Sequence, residues 1–291
     1  MLATAAATPG LWDWSLNPPL FLVVLLAALY GLGSRRTVTP ARTREAQRVR
    51  CACFYTALVV VTVALSSPLD RLSEQLFWAH MIQHVLLILF AAPLIVLARP
   101  WVRLWRCLPL GARRWLARGF SQGRRAAPLR LAVGFLGEPG PSFALFSGVL
   151  LGWHVPAMFD ATLRSETLHA FEHSLFFGTA IMFWKQVIPS APLRVRLAAG
   201  QRVVYVIGAM IVSWILAVVL ALAPNALYAG YAHQTSRPGG ISAIADQQLA
   251  AGIMWVPGSI TFVIVIFIYV HRWLTPTDPA DARAPRLASE H

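Results

Sequence analysis

Residues 76–98 read LFWAHMIQHVLLILFAAPLIVLA. From Val85 to Ala98 no side chain carries a charge or a hydrogen-bonding group. With the residues before it, the stretch is long enough for a helix to cross a hydrocarbon core roughly 30 Å thick. It reads as a membrane span. Its first turns hold two histidines, His80 and His84, four residues apart. Residues at that spacing share one helix face, about 6 Å apart along the axis. Ionisable groups at membrane depth are expensive and ask for a function. The chain repeats the device at HAFEH, where His169 and His173 open a second apolar run.

The membrane reading extends along the whole chain. Of 291 residues, 57% are hydrophobic and 13% charged, and the mean hydropathy is +0.59. A soluble domain would carry about a quarter charged residues. Apolar runs predict seven transmembrane helices at 16–33, 51–66, 76–98, 142–153, 169–188, 203–223 and 249–273. The fold class is therefore all-α, a polytopic seven-helix bundle over residues 16–273. A short outer segment at 1–15 precedes it, and a disordered inner tail at 274–291 follows. The N-terminus lacks the basic start of a signal peptide.

Charge sets the expected orientation. With the N-terminus outside, 22 of the 25 Lys and Arg residues fall on the inner side, which predicts N-out, C-in. Trp78, Trp101, Trp153, Trp184 and Trp273 fit the aromatic belts at the two interfaces. The Arg-rich inner loop at 99–140 reads as amphipathic helix lying on anionic lipid headgroups. The net charge of +13 comes without any nucleic-acid motif, so the expected partner is the lipid bilayer and no nucleic acid. Three scattered cysteines make no disulfide framework. Cys51 and Cys53 read as small packing residues, and Cys107 as inert.

Six of the eight histidines fall on the outer side of this topology: His80, His84, His154, His169, His173 and His233. If the third and fifth spans are neighbours, two imidazole pairs converge at one depth. His154, just past the fourth span, can complete the set. Glu172 lies three residues after His169 and can join or support the pair. Asp70 and Asp246 are candidate supporting carboxylates, although Asp246 equally suits a helix N-cap. Imidazole suits zinc, copper, iron and nickel. Met81 and Met158 would favour Cu(I) if they joined, but methionine is more often packing. The competing reading of all these histidines is a hydrogen-bonded network that holds helices together. Pro257 is expected to kink the seventh span. Tyr228, Tyr231 and His233 read as an interfacial loop able to offer a docking surface.

Six stretches, taken in order, carry a resemblance: SSPLD, LFWAHMIQHVLLILFAAPLIVLARP, WHVPAMFDATL, LHAFEHSLFFGTAIMFW, ALYAGYA and DQQLAAGIMWVPG. Together they resemble the multi-span CtaG family of cytochrome c oxidase assembly factors, over about residues 15–273. The resemblance implies a bacterial plasma (inner) membrane protein needed to build a haem–copper oxidase of the caa type. It implies a role near copper insertion, and the leading reading of the histidines beside it is a binding and delivery protein, not an enzyme. The motif histidines map onto His80, His84, His154, His169 and His173. The implied partners are oxidase subunits and a copper donor chaperone, and the implied cofactor is copper, with zinc as the alternative. Three other readings compete. One is an intramembrane zinc hydrolase using Ser66, Ser67 and Asp70 beside the histidines. Another is a haem protein with paired axial histidines. The last is a metal-free scaffold for oxidase subunits.

Overall fold

A computed structural model describes residue 10 and residues 13–37, 41–191, 195–234 and 237–275. The expected inner tail beyond Thr275, and most of the expected outer segment 1–15, lie outside the described residues. Every regular element described is helical. Helix α1 (Pro18–Arg35) starts on Asn17, whose side chain accepts from the Leu20 amide, and has proline in its first turn, a pre-organised start. Helix α2 (Arg44–Ser66) runs back. Ser67 then caps the short α3 (Pro68–Ser73) by accepting from Leu69 N–H.

The opening stretch forms α4 (Phe77–Val85), one π-turn (Leu86–Ala91) and α5 (Ala92–Ala98). Pro93 explains the π-turn. Proline has no N–H and clashes with the carbonyl four residues earlier, so an ordinary α-turn cannot pass it. The Ala92 amide reaches back to the Leu87 carbonyl instead. In that register the Ile88 carbonyl faces Pro93 and has no backbone donor. The Trp184 indole N–H fills the vacancy, donating to Ile88 O at 2.7 Å. A span that hydropathy reads as uniform thus widens at one defined place and is stapled there to a neighbour.

Three helices follow in the Arg-rich loop: α6 (Trp101–Cys107), α7 (Leu110–Gln122) and α8 (Ala127–Leu136). Trp115, Leu131 and Phe135 stay exposed on them, the pattern expected of helices on a lipid surface. The predicted fourth span is longer than 142–153 and broken. Helix α9 (Pro139–Trp153) turns by 73° into α10 (Pro156–Arg164). Pro156 holds Val155 extended, at ψ 126°, which ends α9. Then come α11 (Glu166–Val187), α12 (Ala199–Leu222), the single turn α13 (Ala229–Ala232) and α14 (Ala243–Leu274). Pro257 lies inside α14 without ending it.

Among the described residues, five helices are long and apolar enough to cross a membrane, or six if α9 and α10 count as one bent span. The expectation was seven. The remaining helix, α11, has 22 residues, but Glu166, His169, Glu172, His173 and Lys185 lie along it. The side chains that make α11 interesting are those that lower its hydropathy.

One core joins α4, α5, α9, α11, α12 and α14 around Phe77, Met81, Phe176, Phe183, Trp184 and Phe262. A smaller cluster of Tyr30, Phe54, Ala57, Leu58, Ile95 and Ala98 docks α1 and α2 on α5. Gly33 lets α1 touch α6, because a Cβ there would overlap the Arg103 carbonyl. Helix α11 lies against the π-turn and α5, whereas its backbone approach to α4 is looser. The two helices part towards the histidine end of the bundle, and imidazoles fill the gap.

Candidate metal centre

Helix α4 carries His80 and His84 on its buried face, both almost without solvent contact. Bonds to other elements fix that helix at two places. Asp246 of α14 accepts from the amides of Phe77 and Trp78, each at 2.9 Å, and so caps α4 from another helix. The alternative expectation, that Asp246 caps its own helix, is corrected: Ser242 does that, accepting from Ala245 N–H. Gln83 of α4 donates to the Ala64 carbonyl at 2.7 Å and to Asp70 Oδ1 at 3.0 Å, tying the helix to the end of α2. Asp70 and Asp246 therefore position α4 and touch none of the histidines through these bonds.

The sequence left open whether the third and fifth spans meet. They do. The rings of His80 and His169 lie 4.8 Å apart between centroids, His80 and His173 5.4 Å, and His84 and His173 5.1 Å. Within the pairs the separations are 4.5 Å for His80–His84 and 4.3 Å for His169–His173. His154, at the break between α9 and α10, stands 6.3 Å from His84. Glu172 reaches into the same space, its two oxygens 3.6 Å from His80 Nε2 and 3.7 Å from His84 Nε2. Two groups have one ligand atom per residue within 4.8 Å of one another: His80, His84 and His173, and His80, His169 and Glu172. Four of the five predicted histidines and the predicted glutamate fall in these groups, and His154 stands beside them, outside both. His233 is exposed and lies apart.

The hydrogen bonds assign ring protons. Tyr231 donates its hydroxyl to the Ser73 carbonyl, and its oxygen lies 3.4 Å from His80 Nδ1. Burial, with the charges of Asp246 and Glu172, pushes the Tyr231 phenol well above its usual range. The phenol keeps its proton and points it at the Ser73 carbonyl, so His80 Nδ1–H is the donor to the tyrosine oxygen. His80 Nε2 then offers a lone pair to the cluster. His154 Nδ1 lies 2.7 Å from the Leu150 carbonyl. A carbonyl only accepts, so this nitrogen carries the proton and Nε2 carries the lone pair. Holding one ring nitrogen to free the other is the usual support of a metal-bound imidazole.

The donor set fits a metal ion on one further observation. Nε2 of His154, His169 and His173, Nδ1 of His84 and both Glu172 oxygens are buried without a hydrogen-bond partner. Native interiors leave few such groups, and these six belong to neighbouring residues of the cluster. His80 Nε2 and His84 Nε2 are 3.0 Å apart. Two nitrogens on one tetrahedral ion at ordinary bond lengths sit about 3.3 Å apart, so little movement separates the two arrangements. Rings packed this closely leave no slot for a haem. Ser66, Ser67 and Asp70 are engaged at helix ends: Ser66 donates to Asn17 Oδ1 and Ser67 to the Val63 carbonyl.

Tyr231 and Tyr228 are the residues that sequence reasoning placed wrongly. Both are buried, not interfacial. Asp160 of α10 accepts from the Ala229 and Gly230 amides at 3.2 and 3.0 Å, folding the ALYAGYA stretch over the site. Tyr228 donates to the His154 carbonyl at 3.1 Å. Phe77, Phe159 and Tyr228 pack with centroids 4.4–5.2 Å apart beside the histidines, where His169 stays partly exposed. The signal in the sequence was that ALYAGYA belongs to the same set of stretches as the histidine motifs.

A helical membrane protein with a buried imidazole–carboxylate cluster between its spans is the class defined by these features. Family comparison narrows it: the model of the cytochrome c oxidase caa3 assembly factor family (Caa3_CtaG) matches residues 28–275, and the chain belongs to that family. An uncharacterized protein of Mycobacterium bovis is 25% identical over 246 residues, covering 82% of this chain and 36% of the relative. An uncharacterized protein of Mycobacterium leprae is 24% identical with the same coverage. The chain thus spans about a third of the length of the curated relatives it matches. No solved structure matches.

Proposed function

We propose that the protein binds copper at His80, His84, His154, His169, His173 and Glu172 and passes it to a subunit of a caa3-type oxidase during assembly. The observation that carries this reading is that His80, His84, His169, His173 and Glu172 form two groups with ligand atoms within 4.8 Å of one another, beside buried nitrogens and oxygens without hydrogen-bond partners, in a chain whose family is that of caa3 assembly factors. Imidazole and carboxylate ligands hold Cu(II) and zinc well and lack the thiolates of a permanent soft-metal site. Such ligands exchange, as a delivery protein requires. On this reading the chain lies in the bacterial inner membrane with its histidine end outward, and a copper donor chaperone loads it from that side.

The test is copper per chain in purified protein, together with oxidase activity in cells carrying the same variants. The wild type should retain copper after desalting, and His80→Ala/His173→Ala should lose it and fail to support oxidase maturation. Copper retained equally by both proteins would refute the proposal. Zinc retained in place of copper, with hydrolysis of a lipid amide, would favour the zinc hydrolase.

A further inference from the structure

The arginine end of the bundle holds a second unusual site. Arg103 of α6 is buried, with 6% of its surface exposed. Its guanidinium donates to the Tyr30 hydroxyl and, through Nη1 at 2.9 Å, to Cys51 Sγ. A guanidinium has only donors, so the facing Gln47 carboxamide must turn its oxygen inward, accepting from Nη1 at 2.9 Å and Nε at 3.1 Å. The group also lies over the Tyr30 ring, 4.8 Å from its centroid. No carboxylate pairs with Arg103 among the described residues. A buried charge without a counter-charge is costly.

A cleft of about 300 Å³ opens beside it, lined by Thr37, Gln47, Arg50, Arg99 and Arg103 among others. Arg50 and Arg99 also have no carboxylate partner among the described residues. Burial and the neighbouring Arg50 charge both hold the Arg99 guanidinium below its usual range. Arg99 ends α5 in the left-handed region, at φ 51° and ψ 54°. It is the one non-glycine residue with positive φ among the described residues. Glycine normally takes that place. An arginine kept there, with Nη2 donating to the Pro189 carbonyl at 2.6 Å, holds its charge on the cleft at a backbone cost.

We propose that this cleft binds a phosphate-bearing anion through Arg50, Arg99 and Arg103, with Thr37 and Gln47 as neutral hydrogen-bonding groups. Arginine forks match phosphate oxygens, and basic pockets between spans suit phospholipid headgroups. A headgroup phosphodiester and free phosphate share this chemistry.

The test uses the full chain in nanodiscs of phosphatidylcholine. Thermal stability is titrated with phosphatidylglycerol in one arm and with inorganic phosphate in the other. Stabilisation by the lipid alone assigns a headgroup site, and stabilisation by both assigns a phosphate site; either supports the proposal. Arg50→Gln and Arg99→Gln should each weaken the response roughly tenfold or more. Arg106→Gln removes the same charge from an exposed position on α6 and should leave the response unchanged. No stabilisation in either arm, or equal weakening by Arg106→Gln, would overturn the site. In the second case the arginines would act only as a diffuse surface charge. Copper content is unaffected in every arm, so failure here is separate from failure of the metal reading.

Discussion

Replacing Glu172 with glutamine should stabilise the metal-free protein while weakening metal binding. Both Glu172 oxygens are buried without a hydrogen-bond partner, their nearest imidazole nitrogens 3.6 and 3.7 Å away, so the substitution breaks no hydrogen bond. A carboxylate held there costs several kcal/mol even after relaxation, whereas an unsatisfied neutral amide costs about 1–3 kcal/mol. The isosteric exchange should leave stability unchanged or raise it by about 1–3 kcal/mol, roughly 2–4 °C in Tm for each kcal/mol. With metal the sign reverses. The carboxylate oxygens lie 3.6 and 3.7 Å from His80 Nε2 and His84 Nε2, and loss of such a partner typically weakens metal affinity about 10–100-fold. At copper equal to about 100 wild-type Kd, binding stabilises the wild type by about 2.7 kcal/mol. A Kd raised about 30-fold leaves roughly 0.9 kcal/mol of that at the same copper concentration. The assay is a thermal melt with chelator and with copper, on both proteins. A glutamine variant destabilised in chelator as much as Phe176→Ala, or shifted by copper as far as the wild type, would refute the reasoning.

Three further outcomes follow from the same geometry. Trp184→Phe keeps the aromatic core but orphans the Ile88 carbonyl, and should cost about 1–3 kcal/mol in chelator; an unchanged melt would mean that the π-turn needs no staple. Asp246→Ala strips the Phe77 and Trp78 amides of their acceptor, and should cost about 1–2 kcal/mol and also weaken copper binding, measured by competition titration. Burial first, and then the Glu74 and Glu166 charges, raise the Asp70 carboxyl from an ordinary 3.8 to about 6. A raised acid favours the folded state below its ordinary pKa, and that contribution fades as pH rises through about 6. Melts of the wild type should therefore fall relative to Asp70→Asn between about pH 4 and 6, and parallel curves would contradict this.

The membrane helices and the histidine pairs were legible, though not the count of seven spans, because hydropathy and an i,i+4 spacing are local properties. So was the place of Glu172, three residues from His169 on α11. The meeting of α4 with α11 was not legible, since no local pattern says which spans are neighbours. Tyr231 was misplaced for the same reason: its loop returns over the site only because Asp160 caps α13. The break after Trp153 left a signal in Pro156, which forces an extended residue before it. The π-turn left one in Pro93, but an apolar run hides it. The Arg103 site has no local signature, because Arg103 lies on α6 and its partners on α1 and α2.

X-ray absorption at the copper edge of the purified, copper-loaded wild type reaches the central claim directly. The account predicts nitrogen and oxygen neighbours at about 2.0 Å, with the outer-shell scattering of several imidazoles. The same protein carrying His80→Ala/His84→Ala should give no such spectrum. Sulfur neighbours, or an imidazole pattern that survives in the variant, would place the metal elsewhere and contradict the account.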